Sequence, residues 1–292
     1  MATLQDIRRR IRSVQSTQKI TRAMKLVAAA KLRRAQERIV EARPYAFKMA
    51  ELVRTLVRGL CEDKHPLLAR REGPRKLFVV ITADKGLCGA FNSNVLRRSL
   101  DLVRGGSSDT TALVPVGRKA RDFYRRRAWP LRGERIGLLD RPTFEQAREL
   151  AGELMRAYLE DEVDEAWLVF NEFRSVAVQK VVVERLLPIE PPAAEGAGEG
   201  PGVDYLYEPD QGTILAALLP RHVEVQVYRA LLESSAGEHG ARMTAMEAAT
   251  KNAQELIGGL TIQYNKARQE RITKELLDIV GGAEALRASA EG

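Results

Sequence analysis

Residues 28–60 read AAAKLRRAQERIVEARPYAFKMAELVRTLVRGL. Stepping alternately by four and three from Ala28 lands on Leu32, Ala35, Ile39, Ala42, Ala46, Met49, Val53, Leu56 and Leu60. Backward, the same register reaches Lys25, Thr21, Gln18, Val14, Ile11 and Ile7. A repeat of about 3.5 residues held this long predicts a coiled-coil seam rather than an ordinary surface helix. Alanines in the middle of the seam let a partner backbone come close. Pro44 falls inside the pattern, where a proline removes a hydrogen bond and bends a helix. The rhythm resumes in phase beyond it, so the expectation is a kink and not a stop. A helix over 3–60 would run roughly 85 Å at the usual rise per residue.

The C-terminal third repeats the pattern. Leu232, Ala236, His239, Met243, Met246, Thr250, Ala253, Ile257, Leu260 and Tyr264 follow the same alternation. Past Tyr264 the apolar positions become Ile272, Leu276 and Val280, spaced by four, which predicts a change of neighbours. Pro220 and the glycines at 237, 240, 258 and 259 lower the helix propensity, and close packing is their simplest use. A helix over about 213–285 would be roughly 110 Å long, outrunning the first by about 25 Å. Two such helices at the ends of one chain pair most easily antiparallel.

The middle of the chain must then bring the backbone back to where it left. Residues 76–82 (KLFVVIT), 111–117 (TALVPVG) and 167–173 (WLVFNEF) are short apolar runs of buried-strand type. Helical stretches lie between them at about 90–104, 117–127 and 143–160. This alternation predicts a Rossmann-like, mostly parallel sheet with helices on both faces. Residues 178–186 add a further strand at an edge, and 191–202 (PPAAEGAGEGPG) read as a linker or exposed loop. The fold class is α/β plus a long antiparallel coiled coil. Its expected parts are 1–60, an N-terminal coiled-coil helix; 75–190, an α/β domain; 191–208, a linker; and 209–292, a C-terminal coiled-coil helix.

The 292 residues, 45% of them hydrophobic, suffice for a real core. Two cysteines exclude a disulfide scaffold and a four-cysteine zinc site, and three histidines argue against a histidine-based metal centre. No run of 18 apolar residues occurs. The start MATLQDIRRRIRS lacks the apolar core of a secretory signal and continues into a helical pattern, so neither a signal nor a transit peptide is expected. Positive charge is concentrated: residues 1–60 hold fifteen Lys+Arg against four Asp+Glu. Such a block suits nucleic acid, an anionic lipid surface or an acidic protein, and it equally suits a solvated helix face.

A parallel sheet would hold a nucleotide at the turn after the first strand, Thr82-Ala83-Asp84-Lys85-Gly86-Leu87-Cys88-Gly89-Ala90-Phe91-Asn92. Its GxxG spacing matches neither dinucleotide nor P-loop patterns, so Asp84, Gly86, Cys88 and Gly89 are expected to form a structural turn. Cys88 has no histidine near it in sequence and reads as a buried structural thiol. His65, His222 and His239 are isolated, with His239 expected as a partnered packing residue on the seam. No cofactor or metal is implied. The arginines at 8–10 and 33–34 lack interleaved aromatics for base stacking, and the alanine-rich face lacks the bulk for a membrane surface. A protein partner therefore ranks above both. Two rivals stay open: a nucleic-acid-binding coiled coil, and an enzyme on the parallel sheet holding a ligand at the strand C-terminal ends near Asp84 and Lys85.

Three segments carry a family resemblance. SVQSTQKITRAMKLVAAAK (13–31) resembles the N-terminal signature of F-type ATP synthase gamma subunits. DKGLCGAFN (84–92) resembles that family's turn at the start of its α/β domain. ARMTAMEAATKNAQELIGGLTIQYNKARQERITKELLDIVGGAEAL (241–286) is similar to its C-terminal signature almost throughout. The resemblance implies a non-catalytic central rotor shaft, coupling ion flow through a membrane c-ring to ATP synthesis or hydrolysis on the β subunits. Its implied partners are the α and β subunits, the epsilon subunit and the c-ring, and its implied place is the cytoplasmic side of a bacterial membrane.

Residue by residue, Met24 and Lys25 match the family's N-terminal contact with a β-subunit loop. Arg268, Gln269, Thr273 and Glu275 match C-terminal-helix positions against the β loops. Tyr205, Tyr207 and Glu208 lie in a YxYEPD stretch resembling the foot contact to epsilon and the c-ring. The plastid form's insert with a regulatory cysteine pair has no counterpart here. Thiol switching through Cys61 and Cys88 is accordingly not expected.

Overall fold

The computed structural model describes residues 3–57, 65–189 and 210–290. Nine elements follow in order: α1 (Leu4–Val57), β1 (Lys76–Ile81), α2 (Phe91–Arg104), β2 (Thr111–Val116), α3 (Arg118–Arg125), α4 (Phe144–Leu159), β3 (Glu165–Phe173), β4 (Gln179–Leu187) and α5 (Gln211–Ala290). The linker at 191–202, the seam position Leu60, Cys61 and the three foot residues Tyr205, Tyr207 and Glu208 lie outside the described residues. Two compact units are formed, Ala28–Thr244 on one hand and Met1–Val27 with Ala245–Gly292 on the other.

In the unit Ala28–Thr244 the sheet has the order β2-β1-β3-β4. β1 pairs in parallel with β2 and β3, while β4 runs antiparallel at the edge beside β3. The expected strands and helices are therefore present, with β4 as the edge strand. Alternation explains why the first strand is apolar from Leu77 to Ile81. Leu77, Val79 and Ile81 point to one face, where they join Leu150, Leu154, Val223 and Val227 of α4 and α5. Phe78 and Val80 point to the other, where they meet Val95, Val103, Ala120 and Tyr124 of α2 and α3. A strand covered on both sides has no polar positions to spare. Thr143 starts α4 with a capping box: its hydroxyl accepts the Gln146 N–H at 3.3 Å and the Gln146 side chain accepts the Thr143 N–H at 3.1 Å.

α1 continues through Pro44 without a break. Within this unit its seam positions Ala28, Leu32, Ala35, Ile39, Ala46, Met49, Val53 and Leu56 are all buried, as the heptad register requires. Leu32, Ala35 and Ile39 pack on Leu232 and Ala236 of α5. Residues 231–240 of α5, LLESSAGEHG, are buried without exception. A helix enclosed on every side needs small residues where backbones approach. A Cβ on Gly237 would stand 3.1 Å from Phe91 Cε2, and one on Gly240 would stand 3.3 Å from the Val176 carbonyl oxygen.

In the second unit the pairing is antiparallel by direct contact: Arg8 donates to the Tyr264 hydroxyl at 3.0 Å, Thr21 and Thr250 share a hydrogen bond at 2.7 Å, and Lys25 pairs with Glu247 at 2.5 Å. Ile7, Met246 and Ala253 are its buried apolar seam residues. From Arg268 to Ala283 every residue of α5 is exposed, which is the change of neighbours expected after Tyr264.

Close packing does not account for Gly258 and Gly259, because a Cβ at either would meet nothing within 4 Å. They are plain helix-weakening residues on an open surface. The double variant Gly258→Ala/Gly259→Ala is expected to gain about 0.5–1 kcal/mol per site from helix propensity and a stiffer unfolded chain. A raised thermal midpoint by circular dichroism checks this; a lowered one contradicts it.

Candidate functional site

The turn between β1 and α2 is built from hydrogen bonds in which its side chains and carbonyls accept. Asp84 accepts the backbone N–H of Arg118 at 2.8 Å through one carboxylate oxygen and that of Gly137 at 2.9 Å through the other. Asn92 accepts the Ala83 N–H at 2.8 Å. The left-handed conformations fall on Leu87, at φ 62°, and Gly89, at φ 56°. Gly86 has no such angle, so its absent side chain is not a conformational need; its carbonyl instead accepts from Arg242 of α5 at 3.3 Å. Cys88 is buried against Ala83 and Phe91. Burial pushes its thiol up, with Glu238 adding to the shift and Arg242 opposing it. That is the reverse of what an activated thiolate needs.

The position where an α/β sheet usually holds a ligand is the crevice beyond the strand C-termini where the strand order reverses. Here the order reverses between β1 and β3. Gly237 of α5 lies against Phe91 and Asn171 at this end, and the Asn171 amide donates to the Phe91 carbonyl at 3.2 Å. The chain's own helix fills the crevice. Among the described residues no group of three His, Cys, Asp or Glu side chains could hold a metal ion.

Sequence reading missed the polar locks that fix α5 in this unit. Glu233, only 5% exposed, accepts from Arg43 at 2.9 Å and from the Phe173 backbone N–H at 3.0 Å. Arg43 also donates to the Phe173 carbonyl at 3.3 Å. One carboxylate thus ties α1, α5 and the end of β3 together. Glu238 pairs with Arg242 at 2.7 Å within α5 itself, and Arg242 carries the tie outward to the Gly86 carbonyl. Burial pushes the Glu238 carboxyl up, and Arg242 pulls it back. The signal was present as two acids inside a run of Ser, Ala and Gly, but a helix that is buried all round has no polar stripe by which to place them.

His239 departs from expectation. It is buried, but its Nδ1 has no hydrogen-bond partner among the described residues. Burial, with Arg242 and Lys31 nearby, pushes it down to about 4, against a partial offset from Asp140. The unfolded chain binds a proton near the ordinary histidine value of about 6.5, so between there and about 4 it holds more protons than the folded one. Stability must therefore fall as pH drops through this window, by up to about 3 kcal/mol from this group. His239→Gln is expected to flatten the acid limb of a stability-versus-pH curve measured by urea unfolding. An unchanged slope would remove His239 as its source.

The residues expected to meet partners fall in two states. Met24 is half-buried beside the seam, and Lys25 is already paired with Glu247. Arg268, Gln269 and Thr273 are exposed on α5, and Glu275 is exposed and paired with Arg271 at 2.8 Å. Ile272, Leu276, Leu277, Ile279 and Val280 are exposed on the same stretch. No described helix is long and apolar enough to cross a membrane.

Residues 3–286 match the family model described as ATP synthase. The chain is 49% identical over 286 residues to the ATP synthase gamma chain of Desulforamulus reducens, covering 98% of this chain and all of that one. It is 50% identical over 287 residues to that of Moorella thermoacetica, with the same coverage. In structure it resembles a chain from the central stalk and c-ring of Tetrahymena thermophila mitochondrial ATP synthase, with a TM-score of 0.61 at 27% identity over 79% of this chain and 99% of that one. A chain of Euglena gracilis mitochondrial ATP synthase shares the fold, with a TM-score of 0.69 at 23% identity over 99% and 96% of the two chains. Matched in these ways along nearly its whole length, the chain belongs to the family of ATP synthase gamma chains.

Proposed function

We propose that this chain is the central rotor shaft of a bacterial F-type ATP synthase, and that it conveys rotation while performing no bond chemistry itself. The ATP chemistry falls to the β subunits, around which the α subunits complete the ring; the epsilon subunit and the c-ring sit at the foot. The chain is then peripheral to the membrane on its cytoplasmic side. The observation that carries this reading is the antiparallel pairing of α1 with α5, with α5 gripped over residues 231–240 by the sheet-bearing unit. Within that unit α5 is tied to its surroundings by Glu233, which bonds Arg43 of α1 and the Phe173 N–H of β3, and by Arg242, which donates to the Gly86 carbonyl, so torque on the unit is passed to the helix. The shielded Cys88 and the filled sheet crevice support a mechanical rather than a catalytic role.

Met24, Lys25, Arg268, Gln269, Thr273 and Glu275 are the proposed contacts with the β-subunit loops, and Tyr205, Tyr207 and Glu208 those with epsilon and the c-ring. Asp84, Gly86, Cys88 and Gly89 have a structural part only, building the turn and, through Asp84 and Gly86, joining it to α3, the Gly137 loop and α5. The exposed cations Arg33 and Arg34 would face acidic loops of the ring, in contacts that form and break at each step. Neutralising both is expected to lower coupling; unchanged ATPase rate and coupling would oppose that contact. The shaft itself is tested by placing a cysteine at exposed Ser108, attaching a bead there and immobilising the ring. The bead should turn in one direction while ATP is hydrolysed. A stationary bead on a complex that still hydrolyses ATP would overturn the proposal.

A further inference from the structure

Lys31, Arg34 and Arg38 follow one another at three and four residues along α1, a spacing that puts them on one face of the helix. They line a cavity of about 370 Å³ together with Asp140 and Arg141, from the loop before α4, and Ser235 and His239 of α5. All of these residues belong to the unit Ala28–Thr244. The walls are held by contacts of their own. The Ser235 hydroxyl donates to the Leu139 carbonyl at 2.7 Å and fixes the loop to α5, and Lys31 pairs with Asp140 and fixes it to α1.

That ion pair uses the carboxylate of the lining. Arg34, Arg38 and Arg141 have no hydrogen bond, ion pair or ring contact among the described residues. His239 adds no charge near pH 7, because burial and the neighbouring cations push it down to about 4. The lining therefore carries three uncompensated positive charges. Cations gathered around one concavity repel one another, and a bound anion turns that repulsion into attraction. Each guanidinium donates up to about five N–H groups and accepts none. A single carboxylate brings one charge and cannot serve three such groups. A diphosphate brings several charges and several terminal oxygens, in the geometry that bidentate arginine contacts match. Its roughly nine non-hydrogen atoms suit a cavity at the small end of ligand pockets.

We propose that this cavity binds a diphosphate group, free or carried by a nucleotide, on Arg34, Arg38 and Arg141. The inference rests on the cavity and not on the rotor reading. Arg38 and Arg141 carry its test, so a failure here leaves the proposed contact of Arg34 with the ring untouched. The probe is pyrophosphate, titrated calorimetrically into the isolated full-length chain at constant ionic strength, with ADP as a second arm. Pyrophosphate should bind saturably, and Arg38→Gln and Arg141→Gln should each weaken it about tenfold. Neither variant gives up a partner in the fold, so both should stay folded. Arg104→Gln, which removes the same charge from an exposed position on α2, should leave the affinity unchanged. In proton NMR spectra the His239 ring signal, identified by its absence from His239→Gln, should move with pyrophosphate while that of His65 stays in place. Equal affinity for ADP would mark the diphosphate alone as the group recognised, and tighter binding of ADP would mark a nucleotide as its source. The proposal is overturned by any of three results: no saturable binding of pyrophosphate, an Arg104→Gln loss as large as that of Arg38→Gln, or a His239 signal that does not move while pyrophosphate binds.

Discussion

Glu233→Ala is expected to destabilise the chain by about 2–4 kcal/mol, far more than loss of the visible ion pair would suggest. The reason lies in what remains. The Phe173 N–H loses the acceptor it has in the folded state and stays buried. Arg43 keeps only the Phe173 carbonyl of its present inward partners. Removing the cation instead should cost less, because Arg43 is 40% exposed and its absence leaves Glu233 still bonded to the backbone. Glu233→Gln, which keeps an acceptor for that N–H, should fall between. Urea midpoints of the three variants give the order. A loss from Arg43→Ala equal to that from Glu233→Ala would show that the ion pair, not the backbone contact, dominates. In the rotor reading, Glu233→Ala should also let α5 slip under load.

The second large effect is expected at Gly117, which links β2 to α3. Its φ of 89° and ψ of 147° belong to a region open essentially to glycine alone. A Cβ there would lie 2.0 Å from the Thr82 carbonyl oxygen, which is backbone and cannot swing aside. The Thr82 hydroxyl also accepts the Ala120 N–H at 2.8 Å, so a shift of Thr82 would disturb the start of α3. Gly117→Ala should therefore lose at least about 3 kcal/mol and yield little soluble protein. Gly133 supplies the control. It too has a positive φ, 73°, but its Cβ would meet nothing within 4 Å, so Gly133→Ala should cost only about 1–2 kcal/mol of backbone strain. Similar thermal midpoints for the two variants would refute the steric argument.

What could be read from the residues, and what could not, follows from the range of each interaction. The heptad seam was legible because each position repeats the same demand, and every described position from Ile7 to Leu56 is at least half-buried. The doubly covered strands were legible because burial on both faces leaves an unbroken apolar run such as Phe78–Ile81. The lock at Glu233 was not, since its partners Arg43 and Phe173 stand far away in sequence and no local pattern joins them. His239 sat on the seam by period, yet its weakened hold on a proton comes from burial and from charges on Arg242, Lys31 and Asp140, two of which lie far off in sequence. The glycines divided the same way. Gly237 and Gly240 face backbone and rings, and Gly258 and Gly259 face nothing, although all four read alike in sequence.

The enclosure of residues 231–240 has a bearing on how the chain is made. During synthesis all four strands leave the ribosome before the helical segment that plugs their ends. Until residue 240 has emerged, the surface formed by Phe91, Asn171 and Phe173 has no cover, and the edge strand β4 is already present. A nascent chain stalled short of that point should therefore carry a sticky, incompletely sealed core and depend on a chaperone. Release from it would await the last third of translation.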